Sequence, residues 1–532
     1  MEICFSGKIY NATDDTDEEF LLHLYKKYYA DMFGHLRVMF AFAIRNEDGS
    51  LFCARDFFGI KPFYYCELGG ELLFGFDIRS ILAHSGFVRL LNEEALEQYL
   101  SFQYSVLPET FFKGIFKLAP GHYLSYKDGC LEIHPYFLPR FTPRDISLDS
   151  AVDALDEAIG TSLHLHMAGE DEIGAFLSGG VDSGLLAARF GGLGNSAAAK
   201  KCFTVGFGYE AYDEISQSKE LADSLQIEHH AKVISGEEFW EALPAVQYHM
   251  EEPLADPAAP AFYFACQEAA AHVKVALSGE GADELFGGYN IYREPLDLWI
   301  TKLPMPLRRL LGKLASLLPL GLKGRDFFIR GSKTIEERFI GNAHIFTKKE
   351  RDALLKSGGR AVSPQELCSP IYRELADADD ITKMQHLDIR LWNVGNILHN
   401  AEKMSKAHSL ELRVPYLDRE VFAVAAGLPT PLRVNRGGTK FAFRRVAARY
   451  MPKAAAGRRK LGFPVPIRVW LREDKYYARV RAHFAGDTAM RYFHVDALLR
   501  LLDEHKANKR DNCRKIWTVY MFLLWHEEYF SA

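Results

Sequence analysis

Eight consecutive residues, Leu177-Ser178-Gly179-Gly180-Val181-Asp182-Ser183-Gly184, combine what a phosphate group needs: glycines, hydroxyls and one acid. They follow an apolar run at 173–177 that reads as a buried strand, and they lead into a helical pattern over 185–190. In a strand–loop–helix setting the glycines let the backbone approach closely, and the N–H groups at the helix start face the anion. Ser178 and Ser183 add hydroxyl donors, and Asp182 supplies an acid able to hold Mg²⁺ against phosphate oxygens. The loop lacks the Gly-Lys-Ser/Thr ending of a Walker loop, which disfavours transfer of a γ-phosphate. A lone Gly-Gly would read as a turn without a ligand; the full string after a buried strand does not.

A second loop, Ser278-Gly279-Glu280-Gly281-Ala282-Asp283-Glu284-Leu285-Phe286-Gly287-Gly288-Tyr289, follows another apolar run at 273–277. It brings Glu280, Asp283 and Glu284 to a carboxyl end of a sheet, the edge at which open α/β sheets bind ligands. Acid clusters are usually solvated turns, but the placement after a buried strand and a phosphate loop argues for a site. Two other groups invite weaker readings. The pairs His229-His230 and His164 with His166 have no ligand cluster around them in sequence, so surface or packing roles are expected. The basic run over 436–460 is expected to be mostly a solvated helix face.

These loops need elements to carry them. Residues 1–137 read as strands and turns: runs at 39–44 and 51–54 flank Asn46-Glu47-Asp48-Gly49, and Gly69-Gly70 separates the aromatic run at 63–65 from 72–74. A proline-containing stretch at 138–145 follows. Helical patterns then alternate with strands at 173–177, 202–207 and 273–277, predicting a parallel sheet with helices on its faces. From about 294 onward long helical patterns are expected. No repeat or low-complexity tract interrupts the chain.

With 532 residues, two or more domains are expected. A net charge of −6 gives no global pull toward nucleic acid or anionic membrane. The eight cysteines are scattered without a CxxC pair, which disfavours a zinc site or disulfide framework and favours a reducing cytoplasm. The first residues have no signal-peptide pattern, and the apolar stretch at 310–322 is broken by Lys313 and Pro319 and too short to span a bilayer. No membrane association is expected.

The first loop resembles the pyrophosphate loop of the N-type ATP pyrophosphatases, which cut ATP between its α and β phosphates. Phe203-Thr204-Val205-Gly206-Phe207 resembles that superfamily's second strand, and the acid loop is very similar to a signature of glutamine-hydrolysing asparagine synthetases. The run from Lys403-Met404-Ser405-Lys406 to Pro415-Tyr416-Leu417-Asp418 resembles the same family, as does Arg459-Lys460-Leu461-Gly462-Phe463. The resemblance implies adenylation of the aspartate side-chain carboxylate to β-aspartyl-AMP with release of pyrophosphate, then amination to asparagine. It implies that Ser178, Gly179, Gly180, Asp182 and Ser183 hold the pyrophosphate part of ATP. Leu177, Val205, Ser278 and Gly279 would line the nucleotide site, partly through backbone atoms, with Val205 meeting the adenine. Asp182 and Asp283 would hold Mg²⁺, Lys460 would stabilise pyrophosphate charge, and Glu280 would act as general base. A related adenylating amide ligase, β-lactam-forming or peptide-cyclising, would share these loops; a non-catalytic scaffold would have no use for them.

Residues 1–137 also resemble this family, through its glutaminase domain of the N-terminal-nucleophile type, with stacked antiparallel sheets. Ser6-Gly7-Lys8-Ile9-Tyr10-Asn11 stands where the family reads NGEIYN, and Asp17 matches the acid that binds the amino group of glutamine. Arg55-Asp56-Phe57-Phe58-Gly59-Ile60-Lys61-Pro62 and Leu118-Ala119-Pro120-Gly121-His122-Tyr123 match two further segments. That domain needs a cysteine directly after the initiator methionine, with its own α-amino group as base; residue 2 is Glu2, and Cys4 lies in the wrong motif. Ser6, Gly7, Lys8 and Asp17 are thus expected to be a glutamine-binding remnant. Met1 falls inside what should be a core strand, which favours a start further upstream over a natural remnant. The expected organisation is a remnant amidotransferase unit at 1–137, a linker at 138–149, and an α/β synthetase unit with a helical C-terminal part at 150–532. This chain is expected to use free ammonia rather than glutamine; a homo-oligomer and a separate ammonia-supplying glutaminase both stay open.

Overall fold

The computed structural model describes residues 1–12, 16–170, 172–192, 200–209, 214–319, 322–458 and 462–531. Eight strands come first: β1 (Glu2–Ile9), β2 (Val38–Arg45), β3 (Leu51–Arg55), β4 (Tyr64–Leu68), β5 (Glu71–Gly75), β6 (Phe116–Lys117), β7 (His122–Lys127) and β8 (Cys130–Pro135). They form two antiparallel sheets, ordered β1-β2-β3-β7-β8 and β5-β4-β6. The two hairpins expected from turn chemistry are present, with Ala43 opposite Cys53 and Cys66 opposite Leu73.

The strand β2 is buried on both faces, and its residue sizes explain why. Ala41 and Ala43, with Cys53 of β3, meet Phe63, Tyr65 and Leu72 across a thin inter-sheet core. Phe40, Phe42 and Ile44 alternate with them and face a larger core on the opposite side. Alternation at period two thus sorts small residues to the stacked-sheet side and aromatic ones to the helix side. That second core continues without a break into Leu155, Leu185 and Tyr416 of the later chain. Ion pairs Lys61–Glu402, Lys117–Glu252 and Arg37–Asp418 cross between the same two parts.

Residues 138–147 have no regular structure, yet they are held: Thr142 N–H donates to Ala426 O at 2.9 Å and Arg144 N–H to Gly427 O at 2.8 Å. Beyond them lies a wholly parallel sheet of β9 (Ile173–Phe176), β10 (Lys201–Gly206), β11 (Glu228–Val233), β12 (Val275–Leu277) and β13 (Glu411–Arg413). Its order is β11-β10-β9-β12-β13. The chain adds β10 and β11 on one side of β9, then returns to place β12 on the other. The crevice between the carboxyl ends of β9 and β12 is therefore a topological switch point. The helix Val181–Gly192 packs on the core shared with the N-terminal sheets, and Ala258–Ala270 packs on the opposite core.

The C-terminal part differs from the expectation of long helices. It is mostly helices of 4 to 12 residues, such as Arg419–Gly427 and Phe441–Ala447, closed by the long Cys513–Phe530. Prolines and short polar loops break the apolar period before long helices can form.

Candidate functional site

The first loop is built by β9. Leu177 N–H donates to Phe203 O at 2.9 Å, so the ladder to β10 runs to the loop's threshold. Gly179 then turns the chain with φ +64, and a Cβ there would meet Gln217 Cβ at 3.0 Å and an Arg458 nitrogen at 3.2 Å. Only glycine suits both the conformation and the space. Ser183 Oγ accepts from Ser178 N–H at 3.1 Å and shares a hydrogen bond with Ser178 Oγ at 3.1 Å. Gly184 N–H donates to Gly180 O at 3.0 Å, closing the first helical turn. Tyr416 OH donates to Asp182 O at 2.8 Å and anchors the backbone of that residue.

The second loop leaves β12 at Ser278, whose N–H donates to Arg413 O of β13 at 2.9 Å. Ser278 Oγ lies 3.4 Å from a Glu280 oxygen. The short helix Ala282–Phe286 then sets Asp283 and Glu284, and Gln385 donates to Glu284 O at 2.7 Å. Glu284 is buried; its carboxyl accepts from Tyr289 OH at 2.6 Å, and Trp392 Nε1–H donates to that same hydroxyl at 3.0 Å. Burial, reinforced by the negative charge of Asp283, pushes the Glu284 carboxyl up to about 8.

Asp182 and Asp283 arrive from different loops and meet at one cation. The Lys440 ammonium, 1% exposed, bridges both carboxylates. Lys440 lies in the basic run expected to be mostly solvated, so that reading fails for this residue. The arrangement depends on Gly288, because a Cβ there would stand 1.8 Å from an Asp283 oxygen and 2.2 Å from Lys440 Cε. Two hard carboxylate oxygens gathered around one positive charge are the donor set that suits Mg²⁺, so these residues fit such an ion.

Both loops open into a cavity of about 530 Å³. Leu177, Ser178, Asp182, Ser183, Val205, Ser278, Gly279, Glu280 and Asp283 all line it. Gly179 and Gly180 shape the loop without lining it. Lys460 lies outside the described residues. Ser6, Gly7, Lys8 and Asp17 are elsewhere: the first three sit in β1, which among the described residues pairs with β2 alone and so lies at a sheet edge. Asp17 accepts from Ile9 N–H at 3.2 Å, and the Lys8 ammonium lies 3.6 Å from its carboxylate.

Several residues to which the sequence reading gives no role complete the cavity. Phe176, Phe203 and Phe262 form an aromatic wall, with the Phe176 and Phe262 rings 5.0 Å apart. Tyr289, Asn342 and Trp392 lie on its lining as well. A volume in this range, apolar on one wall and rich in donors and acids on another, matches a small-molecule site of nucleotide size.

Comparison with known proteins agrees with this geometry. A profile of the asparagine synthase family matches residues 154–527, and one of the glutamine amidotransferase domain matches 2–137. The chain is similar to asparagine synthetase (glutamine-hydrolyzing) 1 of Bacillus subtilis (strain 168), 40% identical over 98% of this chain and 85% of that protein. It is 39% identical to a putative asparagine synthetase (glutamine-hydrolyzing) of Mycobacterium tuberculosis (strain ATCC 25618 / H37Rv), covering 98% of this chain and 84% of the other. Asparagine synthetase (glutamine-hydrolyzing) 3 of B. subtilis is 26% identical over 87% of this chain and 75% of that protein. The chain belongs to the asparagine synthetase family.

Proposed function

We infer that the chain is an ATP-dependent ligase that makes asparagine from aspartate through an adenylated intermediate. The observation that carries this reading is the meeting of two loops at the switch point: a phosphate-type loop without a Walker lysine and an acid loop share one cavity. Aspartate and ATP give β-aspartyl-AMP and pyrophosphate; ammonia then displaces AMP to give asparagine.

A carboxylate resists nucleophiles because of its charge and resonance, and adenylation turns one of its oxygens into a leaving group. In this reading the Ser178–Ser183 hydroxyls and the N–H groups at the start of Val181–Gly192 bind the departing pyrophosphate. Leu177, Val205, Ser278 and Gly279 line the nucleoside part, against Phe176 and Phe262. Asp182 and Asp283 would hold Mg²⁺, which neutralises phosphate charge when bound. Lys440 keeps that pair of carboxylates together, Lys460 adds positive charge for the pyrophosphate, and Glu280 takes a proton from the attacking nitrogen.

We assign residues 1–137 to a glutamine amidotransferase-type unit, 138–149 to a linker and 150–532 to the synthetase. In the first unit the Lys8 cation stands at 3.6 Å from the acid proposed to bind the glutamine amino group. It competes with that amino group by like charge, so free ammonia is the proposed nitrogen source for this chain. Among the described residues no helix is long and apolar enough to cross a membrane, and all eight cysteines are free, in keeping with a cytoplasmic location.

The test supplies the chain with ATP, Mg²⁺ and ammonium and measures asparagine and AMP with aspartate or other amino acids. Asparagine formation that needs aspartate is expected. AMP release that responds to another amino acid but not to aspartate would overturn the substrate assignment.

A further inference from the structure

The edge strand β11 carries a cluster that the adenylation chemistry does not use. Its consecutive histidines point to opposite faces, as strand geometry requires. His229 turns inward, its Nε2 sharing a hydrogen bond with Thr204 Oγ1 at 2.9 Å. His230 turns to the other face and meets residues distant in sequence: Glu268, in the last turn of Ala258–Ala270, and His272 just beyond it. The expectation that His230 has no ligand neighbours therefore holds in sequence but not in space.

One ligand atom from each of His230, Glu268 and His272 lies within 4.8 Å of the other two. The separation between His272 Nε2 and a Glu268 oxygen is 3.4 Å, long for a hydrogen bond. Two ligands on a tetrahedral zinc with bonds of about 2.0–2.1 Å are themselves about 3.3 Å apart, which is this spacing. The two imidazole rings lie only 4.0 Å apart, and a Glu228 oxygen is 2.8 Å from His230 Nε2. Glu228 thus hydrogen-bonds one member of the cluster from beside it, outside the three mutually close ligand atoms. All four side chains are part-exposed, from 19% for His230 to 45% for Glu228, so an ion can enter and dehydrate stepwise.

We propose that His230, Glu268 and His272, with Glu228 beside them, form a binding site for a first-row transition-metal ion, with zinc the best match. Two imidazoles and carboxylates select such an ion over Mg²⁺, which prefers oxygen ligands alone. The site is separate from Asp182 and Asp283. Its ligands span two elements, so a bound ion staples the exposed edge of the parallel sheet to the carboxyl end of Ala258–Ala270. Phe203, the register partner of His230 on β10, has its ring 5.5 Å from His230 and 5.9 Å from His272, and it also lines the proposed ATP cavity. The staple therefore lies directly behind the aromatic wall of that cavity.

The experiment uses the full chain without a histidine tag, stripped with a chelator, in excess Mg²⁺ so that the Asp182–Asp283 pair is satisfied. Zinc is titrated against a chromophoric competitor, and cobalt is titrated separately for its visible absorption. One ion per chain, a visible cobalt band of low coordination number and a zinc-dependent rise in Tm are expected. His230→Ala and His272→Gln should each weaken zinc binding by at least about tenfold, since even outer-sphere partners are worth that much. His164→Ala, an exposed histidine outside the cluster, should bind as the wild type does. The metal-free variants are checked by thermal unfolding, and His272→Gln keeps a similar shape if His230→Ala proves unstable. Absence of stoichiometric zinc binding by the wild type, or undiminished binding in folded His230→Ala or His272→Gln, would overturn the proposal.

Discussion

Gly288→Ala probes the meeting point of the two loops with a single methyl group. Gly288 has no positive φ, so the substitution strains no backbone and acts through space alone. The added Cβ would lie 1.8 Å from an Asp283 oxygen and 2.6 Å from Lys440 Nζ. To restore a contact of 3.0 Å, the oxygen must retreat by about 1.2 Å, moving the carboxylate that shares Lys440 with Asp182. Overpacking of this kind costs about 1–3 kcal/mol of stability, which a fold stable by about 5–15 kcal/mol survives. A misplacement of about 1 Å at reacting groups costs roughly a hundredfold in rate, or about 2.7 kcal/mol of barrier. The variant should thus fold and yet be catalytically poor. Aspartate-dependent ATP–pyrophosphate exchange reads the first step, with thermal unfolding measured in parallel. Gly34→Ala, whose Cβ would meet nothing within 4 Å, is the control and should leave exchange unchanged. A Gly288→Ala enzyme exchanging within about twofold of wild type would refute the reasoning that Asp283 must hold its place.

Three further perturbations separate the roles. Lys440→Met removes the shared counter-charge of Asp182 and Asp283 and should cost about 3–5 kcal/mol, with Mg²⁺ raising the variant's Tm more than the wild type's; equal Mg²⁺ shifts would show that these carboxylates are not the cation site. Glu284 ionises near 4.5 in the unfolded chain but only at about 8 when folded, so the folded state holds one more proton between those values. Its contribution is complete below about 4.5 and lost as pH rises through about 8, at roughly 1.4 kcal/mol per unit, and Glu284→Gln should flatten that part of the stability–pH curve; an unchanged slope in denaturant unfolding would contradict it. Lys460→Ala should abolish ATP–pyrophosphate exchange, whereas Glu280→Gln should keep part of it and fail chiefly in amination; equal loss of exchange in both would show that the roles do not divide by step.

The antiparallel hairpins were legible because alternating apolar residues and Gly-containing turns act locally, as at Asn46–Gly49 and Gly69-Gly70. The loops of the site were legible because each follows a short apolar strand and concentrates glycine, hydroxyl and acid. What escaped was tertiary. The strand Glu228–Val233 reads EHHAKV, polar because it lies at a sheet edge, and Glu411–Arg413 is too short to announce itself. Lys440 sits 258 residues from Asp182 within a basic run, and no local pattern marks one lysine of that run as buried. Its one local sign is the preceding Gly437-Gly438-Thr439, a turn that delivers Lys440 in a left-handed conformation at φ 55. The aromatic wall drew residues from β9, β10 and Ala258–Ala270, and only the packing of that helix across the sheet brings them together.

Adenylation requires the aspartate side-chain carboxylate to attack the α-phosphorus of ATP. Aspartate labelled with ¹⁸O in that carboxylate, incubated with the chain, ATP, Mg²⁺ and ammonium, tests it by the fate of the label. One labelled oxygen in AMP, with unlabelled pyrophosphate as the other product, is expected. Label in inorganic phosphate alongside ADP would contradict it.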